Sequence, residues 1–260
     1  MQSRNPVFNS SEAFSRRGYA GFNEAPPVAG QQLEDMYNAP AATGLQTGRM
    51  TIDDVVVKTG LMFAVLVPLA GLNFYLASPA LTWGGMIVGL VLGLFVSFKQ
   101  STNPALILGY AAAEGLFIGG ISRMFEDQFG GIVAQAVLGT LSVFGVALFA
   151  YKSGRVRVTP KSQRIALIAI GGYLVFSLIN LGLVAFTDNN LRAGWLGVAI
   201  GLFAITLAAY FLIMDFDFAE QGVRNGLPER YSWIAAFGLV VTLVWLYIEF
   251  LRLISILRGD

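Results

Sequence analysis

The sequence contains no cysteine and no histidine, and only 13% of its residues are charged. Without cysteine it cannot form disulfides, thiolate metal sites or a thiol nucleophile. Without histidine it lacks the commonest switch that titrates near neutral pH. Soluble domains carry roughly 25% charged residues. Any proton sensing or metal binding therefore falls to a small number of carboxylates.

Apolar residues fill the chain instead, at 55% of the total. Between Lys58 and Lys99 no residue is charged, and Ser78-Pro79 divides this stretch into two runs of about 20 residues, enough to cross a bilayer twice. Seven spans are predicted, at about 55–76, 81–98, 104–122, 131–151, 165–186, 195–218 and 231–256. The fold class is an all-α polytopic membrane protein, a seven-helix transmembrane bundle with the lipid bilayer around it.

The first 50 residues are polar and show no helical or alternating period. They predict a disordered N-terminal tail, followed by a transmembrane domain over 51–260. The segment Thr51-Ile52-Asp53-Asp54 is typical of a capping box, which begins a helix by satisfying its first N–H groups.

Lysine and arginine are unevenly distributed between the two sets of loops. One side of the membrane has most of the lysines and arginines, and the N-terminus is on that side. Because cytoplasmic loops retain positive charges, this predicts a cytoplasmic N-terminus. The rich side holds Arg4, Arg16, Arg17, Arg49, Lys58, Lys99, Lys152, Arg155, Arg157, Lys161, Arg164, Arg224 and Arg230, and the poor side holds Arg123, Arg192, Arg252 and Arg258. Seven spans then put the C-terminus outside, and a re-entrant seventh segment is the alternative. With a net charge of +1 and no basic face, nucleic acid is not an expected partner.

Glycines at four-residue spacing occur in three spans: Gly85-Gly89-Gly93, Gly115-Gly119 and Gly197-Gly201. Small residues at this spacing let helix backbones approach closely. We expect these glycines to lie inside the bundle.

The acids within the spans are the candidate functional residues, because a charge at membrane depth needs a partner, a proton or water. Glu114 lies near the middle of the third span. Asp215 and Asp217 end the sixth span and point in nearly opposite directions on a helix, with Asp215 the deeper. Glu249 lies far into the seventh span, one turn from Arg252. Each of these four acids can either line a pathway for ions or protons, or be a structural or interfacial acid with no such role.

The seven spans, the acid late in the sixth and the motif Leu246-Tyr247-Ile248-Glu249-Phe250 resemble the Bax inhibitor, or transmembrane Bax-inhibitor-motif, family, in particular its bacterial branch. The resemblance covers about 51–257. It implies a bacterial inner membrane location and a proton-sensitive carboxylate pair, on the sixth and seventh helices, that latches a calcium-permeable pore.

Carried over to this chain, Asp215 or Asp217 takes the first place in the pair and Glu249 the second, and both would hold Ca²⁺ transiently. Lys99 stands where the family has a basic residue at the end of the second helix. Two departures are clear: the second acid is Glu, and the 34 positions from Asp215 to Glu249 exceed the family spacing. Residues 221–233 would have to lengthen the connection for the acids to meet.

Three functions remain open at this stage. The first is a Ca²⁺ leak gated by protons on Asp215 and Glu249, since carboxylate oxygens suit this hard cation. The second is a proton- or cation-coupled transporter with Glu114 and Asp215 as relay acids. The third is a non-conducting regulator of another membrane protein. Neither an enzyme nor a cofactor is expected, because no Gly-x-Ser-x-Gly or His-Glu-x-x-His pattern occurs.

Overall fold

The structure is a computed structural model that describes residues 48–187 and 191–259. Within these ranges seven α-helices and one short 3-10 helix are present, and every α-helix is long and apolar enough to cross a membrane. The helices are α1 Ile52–Leu76, α2 Pro79–Lys99, α3 Pro104–Gln128, α4 Ile132–Lys152, α5 Pro160–Thr187, α6 Gly194–Arg224 and α7 Ser232–Gly259, with the 3-10 turn at Glu229–Tyr231. The predicted fold class is confirmed, and the chain is a multi-pass membrane protein. The tail predicted over 1–50 lies outside the described residues up to position 47.

Most helices begin within three residues of the predicted positions, but α5 begins at Pro160, five residues before the predicted 165, and several helices end later than predicted. The Thr51 hydroxyl accepts from the Asp54 N–H at 3.1 Å and the Asp54 carboxylate accepts from the Thr51 N–H at 2.9 Å, which confirms the capping box. α3 runs to Gln128 and α6 to Arg224, beyond the predicted ends at 122 and 218. Their last turns are polar and are stabilised by side-chain pairs four residues apart, so these helices continue past the apolar spans.

Successive helices alternate in direction, so the bundle has two ends. We call the end where α1 begins the Arg49 end, and the end where α1 finishes the Tyr75 end. At the Arg49 end, residues 48–50 pair with residues 227–229: the Met50 N–H donates to Leu227 O at 2.7 Å and the Glu229 N–H to Gly48 O at 2.9 Å. The chain before α1 is thereby attached to the α6–α7 connection.

The central helix is α7, which packs against α1, α3, α4 and α6. It is buried on several faces, and two of its polar side chains bond to neighbouring helices. Ser232 accepts from the Lys58 ammonium of α1 at 2.6 Å, and Tyr247 shares a hydrogen bond of 2.7 Å with Ser122 of α3. By contrast α5 packs mainly on α6 and presents most of its apolar side chains outward.

The spaced glycines lie where helices touch, as predicted. A Cβ added at Gly85 of α2 would come within 2.6 Å of Ala113 O on α3. On α3, an added Cβ would come within 2.5 Å of Leu66 O at Gly115 and within 2.1 Å of Ala70 O at Gly119. The backbone of α3 therefore lies directly against both α1 and α2, and these positions leave no space for a methyl group.

We expect Gly119→Ala to lower the stability by about 1–3 kcal/mol, because α1 and α3 must move apart to admit the methyl group. Thermal unfolding of the purified protein in detergent measures the change. Gly145→Ala is the matched control: Gly145 also lies within a helix, and a Cβ there meets nothing within 4 Å. This control should be neutral or slightly stabilising, since alanine favours helix. Equal effects of the two substitutions would contradict the packing argument.

Candidate functional site

Asp215 lies on α6 and faces α7. Its Oδ2 accepts a hydrogen bond from the Thr242 hydroxyl at 2.7 Å, and a Cβ added at Gly238 would lie 3.2 Å from its Oδ1. Gly238 and Thr242 are four residues apart, so they share one face of α7. On that face the missing side chain of Gly238 leaves room for the carboxyl group, and Thr242 binds it.

A cavity of about 220 Å³ adjoins Asp215 between α2, α6 and α7. Its polar wall consists of Asp215 with Ser97 and Gln100 of α2, and aromatic and small apolar residues complete it. Gln100 is the exposed C-cap residue of α2, so the cavity reaches the Arg49 end of the bundle. Among the described residues, Asp215 is consequently the one ionisable residue that lines this mostly apolar recess, which extends into the bundle from that end.

Glu249 lies on α7 in a different environment. It is 2% exposed, and its Oε1 accepts from the Tyr173 hydroxyl of α5 and from Arg252 at 3.1 Å. A second guanidinium, that of Arg192, lies 3.8 Å away, contacts the Tyr173 ring and donates to Ser177 at 2.7 Å. One buried carboxylate thus holds two arginines and ties the α5–α6 connection to the central helix.

The structure does not bring Asp215 and Glu249 together. Among the described residues they share no hydrogen bond, since one binds Thr242 and the other Tyr173 and Arg252. Thr242 and Glu249 are seven residues apart on α7, which is about 10 Å along a helix. A direct carboxylate pair is therefore absent from this arrangement.

The wide sequence spacing of the two acids has a simple structural cause. α6 continues for nine residues beyond Asp215 before it ends at Arg224, and α7 starts at Ser232. The connection between Arg224 and Ser232 is short, so residues at equal distances from it on α6 and α7 lie opposite each other. The residue that meets Asp215 is therefore Thr242, and Glu249 lies closer to the Tyr75 end.

Glu114 occupies a third position, between α3 and α2. A Cβ added at Gly89 would lie 3.0 Å from its Oε2, so the α2 glycine face makes room for this carboxyl group. Within the described part of the chain, Glu114 has no side-chain hydrogen-bond partner. It lies ten residues from the start of α3, and Asp215 lies nine residues from the end of α6. Both acids are therefore about 15 Å from the Arg49 end of their helices.

The remaining predicted residues have supporting positions. Asp217 accepts from Gln221 one turn later at 2.5 Å, as expected of a solvated helix end, and faces away from Asp215. Lys99 is the exposed last residue of α2, next to the Gln100 that lines the Asp215 cavity. Arg252 pairs with Glu249, the partner expected from the sequence.

Sequence reasoning missed the partners Thr242, Gly238, Tyr173 and Arg192. The four-residue spacing of Gly238 and Thr242 was a usable signal, because small residues at that interval mark close helix contacts. For Tyr173 and Arg192 the sequence contained no such signal, because their contacts with Glu249 depend on how α5 packs against the bundle.

We expect Glu249→Gln to destabilise the protein by about 3 kcal/mol, because it removes the buried negative charge that accepts from Tyr173 and Arg252 and lies 3.8 Å from the Arg192 guanidinium. Thermal unfolding in detergent tests this. The control is Asp127→Asn, which removes an ion pair with Arg123 that is exposed on both sides and worth about 1 kcal/mol or less. If the two variants unfold alike, Glu249 is not part of the buried ion cluster.

Comparison with known proteins shows the family to which this chain is related. The family described as Bax inhibitor 1 like matches residues 5–259, which include all seven helices and all of the acids discussed above. No curated protein matches the chain. Since the match extends over nearly the whole sequence, this seven-helix membrane protein belongs to the Bax inhibitor 1 like family.

Proposed function

We propose that the protein is a slow, proton-gated Ca²⁺ leak in which Asp215 is the acid that receives the cation and the gating proton. The observation that supports this most directly is the position of Asp215, held by one hydroxyl at the wall of a cavity that also contains the polar side chains of Ser97 and Gln100 and reaches the Arg49 end. The other two buried acids lack such a recess: Glu249 is engaged by two arginines and Glu114 packs against a helix.

The cavity has the chemistry and size for a partly hydrated cation. Ca²⁺ takes six to eight oxygen ligands from carboxylates, carbonyls, amides and water. Asp215, Ser97 and Gln100 supply three oxygen-bearing side chains, and a volume of about 220 Å³ corresponds to about seven waters at the liquid volume of roughly 30 Å³ each. A site with one carboxylate and mostly water ligands suits a cation in transit rather than a stored one.

Beyond Asp215 the route is closed by apolar packing. Leu212 of α6 and Leu243 and Leu246 of α7 are buried in one cluster on the side toward the Tyr75 end. An ion passes only if α6 and α7 separate there. The Asp215–Thr242 hydrogen bond joins these two helices where the cavity ends. An ionised carboxylate accepts this bond more strongly than a protonated one, so loss of the proton alone does not open the seam; it opens when Ca²⁺ takes the Asp215 oxygens from Thr242.

In this proposal the latch is a carboxyl–hydroxyl contact, and Glu249 has a supporting role. Glu249 holds α5 and the α5–α6 connection against α7 while α6 moves. The loops rich in lysine and arginine lie at the Arg49 end, so from the positive-inside rule we propose that this end faces the cytoplasm. We also propose that the membrane is a bacterial inner membrane. The cavity then takes Ca²⁺ and protons from the cytoplasmic side.

We expect Ca²⁺ flux into proteoliposomes to rise between pH 6 and 8. Loss of the proton gives Asp215 the negative charge that attracts the cation, and a higher pH favours that form. Asp215→Asn keeps the shape of the side chain but cannot titrate, so this variant should show low flux with a flat pH profile. A Ca²⁺ indicator inside the vesicles measures the initial rate.

Asp217→Asn is the matched control, because it removes the same charge two residues away on the opposite side of α6. It should keep the pH response of the unmodified protein. Absence of flux at every pH, or an equal loss of response in both variants, would exclude Asp215 as the gating acid.

A proton-coupled transporter is the second candidate, supported by the similar depth of Glu114 and Asp215 in their helices. A transporter should move protons against Ca²⁺ in a fixed ratio, whereas a leak should not. We expect Glu114→Gln to leave Ca²⁺ flux within about twofold of the unmodified protein, since Glu114 lies outside the cavity wall. If this variant abolishes the flux and any accompanying proton movement, the relay hypothesis replaces the leak.

The third hypothesis, a regulator of another membrane protein, is supported by two results together. No cation should cross the membrane, and deletion of residues 1–47 should release a membrane-protein partner.

A further inference from the structure

A second and much larger concave surface lies on the other side of α6 and α7. It is a groove of about 1560 Å³ between α1 and α4, whose facing sides barely touch, with α7 as its floor. Its lining extends from Ile52 to Tyr75 along α1. At 1.5 Å per residue the groove is about 35 Å long, the thickness of a bilayer's hydrocarbon region. It opens sideways, toward the lipid.

The middle of the groove is apolar in effect, even where hydroxyl groups line it. Thr59 donates to Val55 O at 2.7 Å and Thr140 donates to Ala136 O at 2.8 Å, each within its own helix. Ser122 is engaged by Tyr247. These hydroxyls are already bonded within the protein, so the wall offers little to an ion or to water. It suits hydrocarbon chains.

The mouth at the Arg49 end is charged. Two acids line it, and both are engaged within the protein: Glu220 accepts from the Tyr151 hydroxyl and from Arg224, and Asp217 accepts from Gln221. Arg224 is engaged by the same Glu220.

Two further basic residues of the mouth, Lys152 and Arg157, are exposed and form no ion pair with any described residue. No acidic residue occurs in the sequence from Gln128 to Thr187, so the neighbouring chain also leaves them uncompensated. This end of the groove therefore carries excess positive charge where a membrane surface would lie.

We propose that the groove is a binding site for one anionic phospholipid, with its acyl chains between α1 and α4 and its head group on Lys152 and Arg157. A groove open to the bilayer is filled by lipid of some kind, and the two uncompensated cations select the negative head group. The site lies apart from Asp215, which faces the opposite side of α6, so this proposal does not depend on the Ca²⁺ leak.

The test uses the full chain purified in detergent and compares phosphatidylglycerol with phosphatidylcholine of the same acyl chains. Native mass spectrometry counts bound lipids, and titration gives their affinities. We expect one phosphatidylglycerol per chain, retained when phosphatidylcholine is lost. Each basic residue near the head group contributes about a fivefold preference, so Lys152→Gln with Arg157→Gln should lower the phosphatidylglycerol affinity about 25-fold.

Lys161→Gln with Arg164→Gln is the matched control, because it removes two exposed charges from the same region outside the groove lining. It should keep the affinity within about twofold. A second pair of variants tests the acyl chains: Leu148, one turn from Lys152 on α4, lines the groove and its neighbour Phe149 does not. Leu148→Trp should reduce the bound lipid at least tenfold, whereas Phe149→Trp should not.

Several results would overturn the proposal. Equal affinity for the two lipids would show that the groove accepts any acyl chain without selecting a head group. Equal losses in the two charge variants would indicate diffuse attraction to a basic surface. Full retention of phosphatidylglycerol in Leu148→Trp would place the lipid elsewhere, and a lipid-free dimer would make the groove a contact between two copies. Size-exclusion chromatography of each variant verifies that it is folded.

Discussion

The architecture depends on one constraint: polar side chains on the central helix must find partners inside the protein, because the surrounding lipid offers none. α7 meets this constraint with a different neighbour at each level. Along the helix, Ser232 binds Lys58 of α1, Thr242 binds Asp215 of α6, Tyr247 binds Ser122 of α3 and Glu249 binds Tyr173 of α5. Four contacts thus attach four helices to one axis. Three are between single side chains, and the fourth is a buried ion cluster.

These contacts differ in how easily they can change. The Glu249 cluster carries opposite charges in a buried place, and removal of one partner strands the others. The Asp215–Thr242 contact is one hydrogen bond beside a cavity, with no cation of the described residues next to it. Between the Lys58–Ser232 contact at the Arg49 end and the Glu249 cluster toward the Tyr75 end, it is therefore the polar contact of α7 that is lost at the least cost.

The elements that sequence patterns predicted well are those fixed by local physics. Hydropathy and capping residues placed the seven helices, and four-residue glycine spacing predicted that these glycines lie inside the bundle, where they are found. The partner of Asp215 was not predictable in this way, because it depends on the register between α6 and α7. The sequence motif around Glu249 suggested a meeting with Asp215 that the helix lengths do not permit. Arg192 lies just before α6 and outside any helix, so helical periodicity could not predict its contact with Glu249.

The central position of α7 also has a consequence for biosynthesis. α1 and α2 each pack against α3 through close glycine contacts and can assemble as soon as they leave the ribosome, but the helix that completes the core comes after them in the chain. Until it inserts, Lys58, Ser122, Tyr173 and Asp215 face a vacant centre without their eventual partners. The growing protein must hold this polar interior away from lipid, so the translocon or an insertion chaperone has to shelter an incomplete bundle through most of synthesis.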